Sequence, residues 1–187
     1  MTELNIQEQK ELLQLARKTL EAYLKNGTIP DYATGNKNLL RKAGAFVTLN
    51  KESMLRGCIG NFFSHEPLYK NIQNMAIAAA IEDPRFRHVT QDELSHVEIE
   101  ISVLSELETV KSLDEIEVGK HGLYVTKGFY RGVLLPQVAT EYGWDRDTFL
   151  GETCMKAGLP EDEWKKPGIK IEKFSAQVFN EKEVFKK

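Results

Sequence analysis

The segment with the most evident chemical potential is the hexapeptide Leu-Arg-Gly-Cys-Ile-Gly at residues 55–60. Gly57 and Gly60 carry no side chains, so a ligand can approach the backbone N–H groups around them. Arg56 offers a planar, bidentate partner for a carboxylate or phosphate, and its charge would favour a nearby thiolate. The hexapeptide therefore predicts an anion-binding turn in which Cys58 is nucleophilic or redox-active. The alternative is a buried strand cysteine beside a β-bulge, because free cysteine is among the most buried residue types.

One further histidine, His121, and the second cysteine, Cys154, are also candidates for chemical or structural roles. His121 lies in the sequence Gly-Lys-His-Gly, where its small neighbours leave the ring reachable. It could serve as a general base for Cys58, or it could be a turn histidine bonded to the backbone. Cys154 falls on the apolar face of a predicted helix, and we interpret it as a core residue.

The sequence Asp-Pro-Arg at 83–85 also has two interpretations. It is typical of a structural turn in which Asp83 accepts backbone N–H groups and the proline fixes the chain. Alternatively, Arg85 projects towards the hexapeptide as a second contact for an anion. Glu98 and Glu100 share the polar face of a predicted strand, which indicates either a solvated face or a carboxylate site without an evident third ligand. Because no recognised metal or nucleotide motif is present, we predict no metal and no cofactor.

Composition excludes several classes of protein. The chain has 187 residues, with 28 acidic and 25 basic side chains, and its net charge of −3 argues against a nucleic-acid-binding protein. The longest apolar run, Met75–Ile81, is far shorter than a membrane span. The first residues lack the basic and apolar regions of a secretory signal. We therefore predict a cytoplasmic protein that binds neither nucleic acid nor membrane.

Hydrophobic periodicity predicts the elements that position these residues. A first helix is predicted to be capped by Asn5 and ended by Gly27, and residues 28–44 are predicted to form a loop. A capping box at Thr90 and Glu93 predicts the start of a short helix. Two longer helices are predicted over 67–82 and from Asp145 or Asp147 to 157. Strands are predicted over 45–49, 54–59, 97–103, 123–126, 131–135 and 169–179. Hairpin-connected strands with helices gathered elsewhere indicate an α+β fold.

The same segments resemble the AMMECR-one domain family, whose prokaryotic members are called AmmeMemoRadiSam system protein A. The resemblance extends from about residue 39 to 180. The matching residues are the hexapeptide, Asp83, Arg85, Phe86, Glu93, Leu94, His121, Gly122, Leu135, Pro136, Val138, Ala139, Glu141, Gly143, Trp144, Lys156 and Gly158.

The resemblance implies a single domain over 1–187, with a mostly antiparallel sheet flanked by helices and two unequal lobes with a cleft between them. It also implies a partnership with a Memo-like protein and a radical-SAM protein. Any iron–sulfur cluster would belong to the radical-SAM partner, because two cysteines cannot hold one.

Two functional hypotheses follow. In the first, the chain is an enzyme or enzyme component that binds a small anionic ligand, with Cys58 as the reactive thiol and His121 as its base. The predicted ligand-binding residues are Arg56, Gly57, Gly60, Asp83 and Arg85. In the second, the chain is a non-catalytic adaptor or binding module for the Memo-like and radical-SAM partners.

Overall fold

The structure is a computed structural model that describes residues 3–186. Met1, Thr2 and Lys187, which belong to the predicted single domain, lie outside the described residues. The chain divides into two compact units. The first contains the residues up to Leu104 and those from Gln177 onward, and the second is Ser105–Ala176. Both combine antiparallel strands with helices, which confirms the predicted α+β class. The cleft stays a prediction.

The helices and strands have the following bounds. The first unit contains α1 (Ile6–Asn26), α2 (Lys37–Leu40), β1 (Ala45–Lys51), β2 (Met54–Asn61), α3 (Leu68–Ile81), β3 (Val97–Leu104) and α6 (Glu181–Val184). The second contains β4 (Glu108–Thr109), β5 (His121–Lys127), β6 (Tyr130–Leu134), α4 (Pro136–Glu141) and α5 (Arg146–Lys156). The last strand, β7 (Lys170–Asn180), begins in the second unit and ends in the first.

The first unit packs two helices on one face of an antiparallel sheet. β1 pairs with both β2 and β3, so β2 lies at an edge of this part of the sheet. Alternate residues of β1 and β3 are fully buried, because one face of each strand packs against the core. Examples are Val47, Leu49, Ile99 and Ile101, which belong to one core cluster with residues of α1 and α3.

The predicted caps of the first helix are confirmed. The Asn5 side chain accepts the backbone N–H groups of Gln7 and Glu8, and the Glu8 carboxylate accepts the Asn5 N–H at 2.8 Å. Gly27 ends the helix with a φ of 74°, a left-handed conformation that glycine adopts without steric cost.

Glu8 also explains why the predicted loop over 28–44 contains a short helix. Its carboxylate accepts the side-chain amides of Asn36 and Asn38 at 2.9 and 2.8 Å. Asn36 in turn caps α2. These contacts join residues about thirty positions apart, and local sequence patterns do not predict them.

The predicted hairpin and bulge are both present. The turn is shorter than predicted, because β1 continues to Lys51 and only Glu52 and Ser53 adopt left-handed conformations, with φ of 52° and 64°. Asn50 pairs with Leu55 and Leu49 pairs with Gly57, so Arg56 is the extra residue of a β-bulge.

Gly57 is required by the close approach of α3. A Cβ at this position would lie 2.1 Å from the carbonyl oxygen of Ala79. Gly57 has no positive φ, so the constraint is space and not backbone conformation. The alanine-rich body of α3 allows this approach, as the sequence predicts.

The second unit has its own core around α5. β5 pairs with β6 and β7, and β4 pairs with β7, all antiparallel. Leu123 of β5 packs with Phe149 and Leu150 of α5. Cys154 is completely buried, as predicted. The helix starts at the predicted cap, since the Asp145 carboxylate accepts the Thr148 N–H at 2.8 Å.

The predicted helix after Thr90 is wrong. The chain there forms only one 3-10 turn, Leu94–His96, and Glu93 does not use its side chain as a cap. The Glu93 carboxylate instead pairs with Arg56 and Lys51. Among the described residues, no helix is both long and apolar enough to cross a bilayer.

We expect Gly57→Ala to lower the free energy of unfolding by about 1–3 kcal/mol, because two backbones must move apart to admit the methyl group. The matched control is Gly35→Ala, since no atom lies within 4 Å of a Cβ there and φ is not left-handed. It should change stability by less than about 0.5 kcal/mol. Urea denaturation measures both, and equal effects of the two substitutions would show that α3 does not constrain Gly57.

Candidate functional site

The hexapeptide lies on the edge strand of the first unit, and its backbone is held from outside the sheet. The Cys58 N–H donates to Asp83 Oδ2 at 2.8 Å, and Arg85 Nη2 donates to the Cys58 carbonyl at 3.4 Å. Residues of an antiparallel strand turn both polar backbone groups to the same side, alternating along the strand. Cys58 and Gly60 therefore face away from β1. The outward groups of Cys58 are satisfied, and the Gly60 N–H has no partner among residues 3–186.

Asp83 is a buried carboxylate that serves as the anchor of this arrangement. Arg85 binds it through two parallel hydrogen bonds, Nε to Oδ1 at 2.9 Å and Nη2 to Oδ2 at 2.7 Å. The Arg85 backbone N–H adds a bond of 3.1 Å to Oδ1. The Arg85 guanidinium holds the pKa of Asp83 well below its usual range, although burial acts in the opposite direction. The structural-turn interpretation of residues 83–85 therefore describes what Asp83 does.

Arg56 is likewise engaged within the protein. Its Nε and Nη2 donate to the two carboxylate oxygens of Glu93 at 2.9 and 3.0 Å. Its Nη1 and Nη2 also donate to the carbonyl oxygens of Arg87 and His88 at 2.8 and 3.3 Å. The guanidinium that the sequence assigns to a ligand thus has four hydrogen bonds already, and its side chain is only 15% exposed.

Glu93 belongs to this site as the partner of Arg56, a role that its sequence does not predict. Arg56, and to a smaller extent Lys51, lower the pKa of Glu93 to about 2 in spite of its partial burial. The Lys51 ammonium lies 3.0 Å from Oε1. The local sequence signal, a Thr-x-x-Glu pattern, suggests a capping role that the side chain does not perform.

The Cys58 side chain lies on the sheet face opposite the core. Cys58 is half-buried, and its Sγ accepts a hydrogen bond from Thr48 Oγ1 at 3.3 Å. Thr48 pairs with Cys58 on one side and with Glu100 on the other, so the three residues form a row across β2, β1 and β3. Gly60, the next residue on this face, packs against the Phe46 ring, which a Cβ would approach to 2.3 Å.

Glu98 and Glu100, the two glutamates of β3, are partly buried. Burial, followed by the charges of Glu183 and Glu98, raises the pKa of Glu100. Within the part of the chain that the structure describes, no group of three or more His, Cys, Asp or Glu side chains is arranged to hold a metal ion.

His121 lies in the second unit, at the start of β5, and bonds to the backbone. Its Nδ1 accepts the Glu117 N–H at 3.0 Å, so the neutral ring carries its proton on Nε2. Burial, then Lys173 and Lys120, lower the pKa of His121. The ring is thus neutral near pH 7, but its acceptor lone pair is occupied. The pairing of His121 with Cys58 stays a prediction.

The site in the first unit can therefore present a thiol in a fixed position. The strand that carries Cys58 is held at both outward polar groups, and a hydroxyl donor contacts the sulfur. Arg85 supplies a cation that is 56% exposed, and its Nη1 makes no hydrogen bond to any described residue. A thiol that contacts a hydroxyl donor, on a residue whose carbonyl contacts a guanidinium, is suited to nucleophilic chemistry on an anionic molecule.

We expect Glu93→Gln to lower the free energy of unfolding at pH 7 by about 1–3 kcal/mol, because it weakens the charge-assisted hydrogen bonds to Arg56. Folding lowers the pKa of Glu93 to about 2. The ionised carboxylate therefore contributes fully to the free energy of unfolding above the ordinary carboxyl pKa, and this contribution is lost as the pH falls towards about 2. The difference between variant and wild type should narrow over that interval.

Chemical denaturation at a series of pH values measures this difference. Asp92→Asn is the control, because Asp92 is exposed and its carboxylate has no ion pair among the described residues. A Glu93→Gln protein as stable as wild type at pH 7 would contradict the importance of this pair, as would a difference that is independent of pH.

Comparison with known proteins identifies the family. The family model of AMMECR1, the AMMECR-one domain, matches residues 13–179. A protein of Thermococcus gammatolerans is 44% identical over 181 residues, covering 91% of this chain and 88% of the relative. A protein of Methanosarcina barkeri is 44% identical over 180 residues, covering 91% and 89%.

A solved structure shows a similar fold. The crystal structure of an uncharacterised protein from Pyrococcus horikoshii covers 91% of this chain and 90% of its own, with a TM-score of 0.77 and 42% sequence identity. With a family model spanning most of its length and relatives above 40% identity, the chain belongs to the AMMECR1 family.

Proposed function

We propose that this protein is an enzyme or enzyme component that binds a small anionic ligand beside residues 55–60, with Cys58 as its reactive thiol. The observation that carries the proposal is the position of the sulfur. Cys58 is half-buried, and its Sγ lies on the face of an edge strand opposite the core. The sulfur accepts a hydrogen bond from Thr48, and the carbonyl of the same residue contacts the Arg85 guanidinium. Positive charge and hydroxyl donors both favour thiolate, which is the nucleophilic form.

Arg85 and Gly60 best support the anionic character of the ligand. Arg85 has an exposed side chain whose Nη1 makes no hydrogen bond within residues 3–186, while the outward N–H of Gly60 lies on the same strand edge. Arg56 and Asp83, also predicted to contact the ligand, act in this proposal by holding the strand, because their polar atoms are already bound. Gly57 contributes by allowing α3 to approach.

In the proposed chemistry the Cys58 thiol gives its proton to a base, and the resulting thiolate attacks an electrophilic carbon of the ligand. The new S–C bond forms as the bond from that carbon to a leaving group breaks, and the leaving group departs with the bonding electron pair. His121 is the predicted base. To accept a proton at Nδ1, its ring would have to release the hydrogen bond from the Glu117 N–H. Cys58 is therefore the better supported of the two predicted catalytic residues.

Alkylation of the native protein tests the reactive thiol. We expect iodoacetamide to modify Cys58 at least about tenfold faster than Cys154 at pH 7.5, because Cys154 is completely buried and burial raises its pKa. Peptide mass spectrometry resolves the two sites, and Cys58→Ser confirms the assignment. If Cys58 stays unmodified until the protein is unfolded, it is a packing residue and the enzyme proposal fails.

Replacing the neutral reagent by iodoacetate tests the anionic ligand. If Arg85 attracts anions to the thiol, the iodoacetate-to-iodoacetamide rate ratio should exceed the ratio for glutathione under the same conditions. Arg85→Gln should lower the ratio towards that of glutathione, while Arg85→Lys, which keeps the charge, should lower it less. A wild-type ratio equal to that of glutathione would remove the support for an anionic ligand.

The alternative function is a non-catalytic adaptor for the Memo-like and radical-SAM proteins implied by the family resemblance. The observation that favours it is the exposure of aromatic side chains in the second unit, where Phe129 is fully exposed and Tyr142 is 69% exposed. Such side chains are common anchors in protein interfaces. Size-exclusion chromatography of the purified proteins would show a complex that Phe129→Ser weakens and Cys58→Ser leaves intact. No complex with either partner would count against it.

A further inference from the structure

We infer that Thr48 is a positioning residue for Cys58, holding its sulfur in place and stabilising its thiolate through the hydroxyl group. The inference rests on the proposed role of Cys58 as the reactive thiol. The sequence does not predict a functional role for Thr48, because threonine is common in β-strands and this one belongs to no recognised motif. It is the cross-strand pairing in the structure that brings the hydroxyl to the sulfur.

The contact has the geometry of a hydrogen bond to sulfur. Thr48 Oγ1 lies 3.3 Å from Cys58 Sγ, and the two residues are direct cross-strand neighbours on the face opposite the core. β1 is paired on both sides, with β2 and with β3, so the backbone of Thr48 is held in a central strand. The hydroxyl therefore reaches the sulfur from a fixed backbone.

A hydroxyl donor distinguishes between the two forms of the cysteine. A hydrogen bond to an ionised acceptor is stronger than one to a neutral acceptor, so the contact favours thiolate over thiol. The charged groups on the surrounding elements are Arg85 and Asp83, which follow α3 and bond to the Cys58 backbone, and Glu98 and Glu100 on β3.

Asp83 is already neutralised by its paired bonds to Arg85. Glu100 lies one strand beyond Thr48, and burial raises its pKa, which favours its neutral form. Among the described residues, it is the Thr48 hydroxyl that donates a side-chain hydrogen bond to the sulfur. Removing this hydroxyl should change the reactivity of Cys58 without changing any charge.

Three variants at one position test the inference. Thr48→Val keeps the β-branched shape and removes the hydroxyl, Thr48→Ser keeps the hydroxyl, and Thr48→Ala removes the hydroxyl without the bulk of valine. Iodoacetamide alkylation of Cys58 is followed from pH 6 to pH 10.5 by peptide mass spectrometry. Circular dichroism and thermal unfolding test whether each variant is folded. If the Thr48→Val protein is not folded, the Thr48→Ala protein takes its place in the comparison.

At pH 7 we expect Thr48→Val to slow alkylation of Cys58 by about five- to tenfold, a factor that matches the amount by which a hydrogen bond to a charged acceptor exceeds one to a neutral acceptor. Above about pH 10 the rates of variant and wild type should converge, because thiolate then forms without help. Thr48→Ser should stay within about twofold of wild type throughout, as expected for a retained donor. A change in packing alone would alter the rate at every pH.

The outcomes distinguish a failure of the proposed function of Cys58 from a failure of the inferred role of Thr48. If wild-type Cys58 is inert in the native protein, the proposed function fails and the role of Thr48 fails with it. If wild-type Cys58 is reactive and Thr48→Val has the same rate at every pH, only the role of Thr48 is overturned. If Thr48→Val differs by the same factor at every pH, the hydroxyl does not act on ionisation, and the inference is also overturned.

Discussion

The buried carboxylate of Asp83 is the contact on which the arrangement around the hexapeptide depends. It accepts the outward N–H of Cys58 on an edge strand, where a backbone donor would otherwise meet water. Arg85 supplies the charge that makes a buried carboxylate tolerable, and it also donates to the Cys58 carbonyl. Together the two side chains satisfy one residue of β2 as a neighbouring strand would. The position of the cysteine side chain follows from that restraint.

The residues of the hexapeptide divide into those that build the strand and those that remain chemically available. Gly57 gives room to α3, Gly60 gives room to the Phe46 ring, and Arg56 closes an ion pair with Glu93 across the β-bulge. The groups that remain available are the Cys58 thiol and the Gly60 N–H, which has no partner among residues 3–186. In the proposed function these two groups meet the ligand, and the other residues of the hexapeptide keep them in place.

Local patterns were sufficient to predict the longer helices and strands, because caps, turns and alternation act over a few residues. They did not predict the short helices α2, α4 and α6 or the two-residue strand β4. The capping box at Asn5 and the alternating burial of β3 are of this kind. The site was less predictable because its contacts join distant positions: Cys58 meets Asp83 across 25 residues, and Arg56 meets Glu93 across 37. The same is true after Thr90, where the capping pattern assigns the Glu93 side chain to a local bond and the structure pairs it with the distant Arg56.

Hydrogen exchange at the Cys58 backbone amide tests the central claim most directly. Gly60 is an internal reference, because its N–H also faces the strand edge but has no partner among the described residues. If Asp83 holds the strand, the Cys58 amide should exchange much more slowly than the Gly60 amide in the wild type. That protection should be largely lost in Asp83→Ala, which removes the acceptor oxygen. Equally rapid exchange at both amides in the wild type would contradict the account.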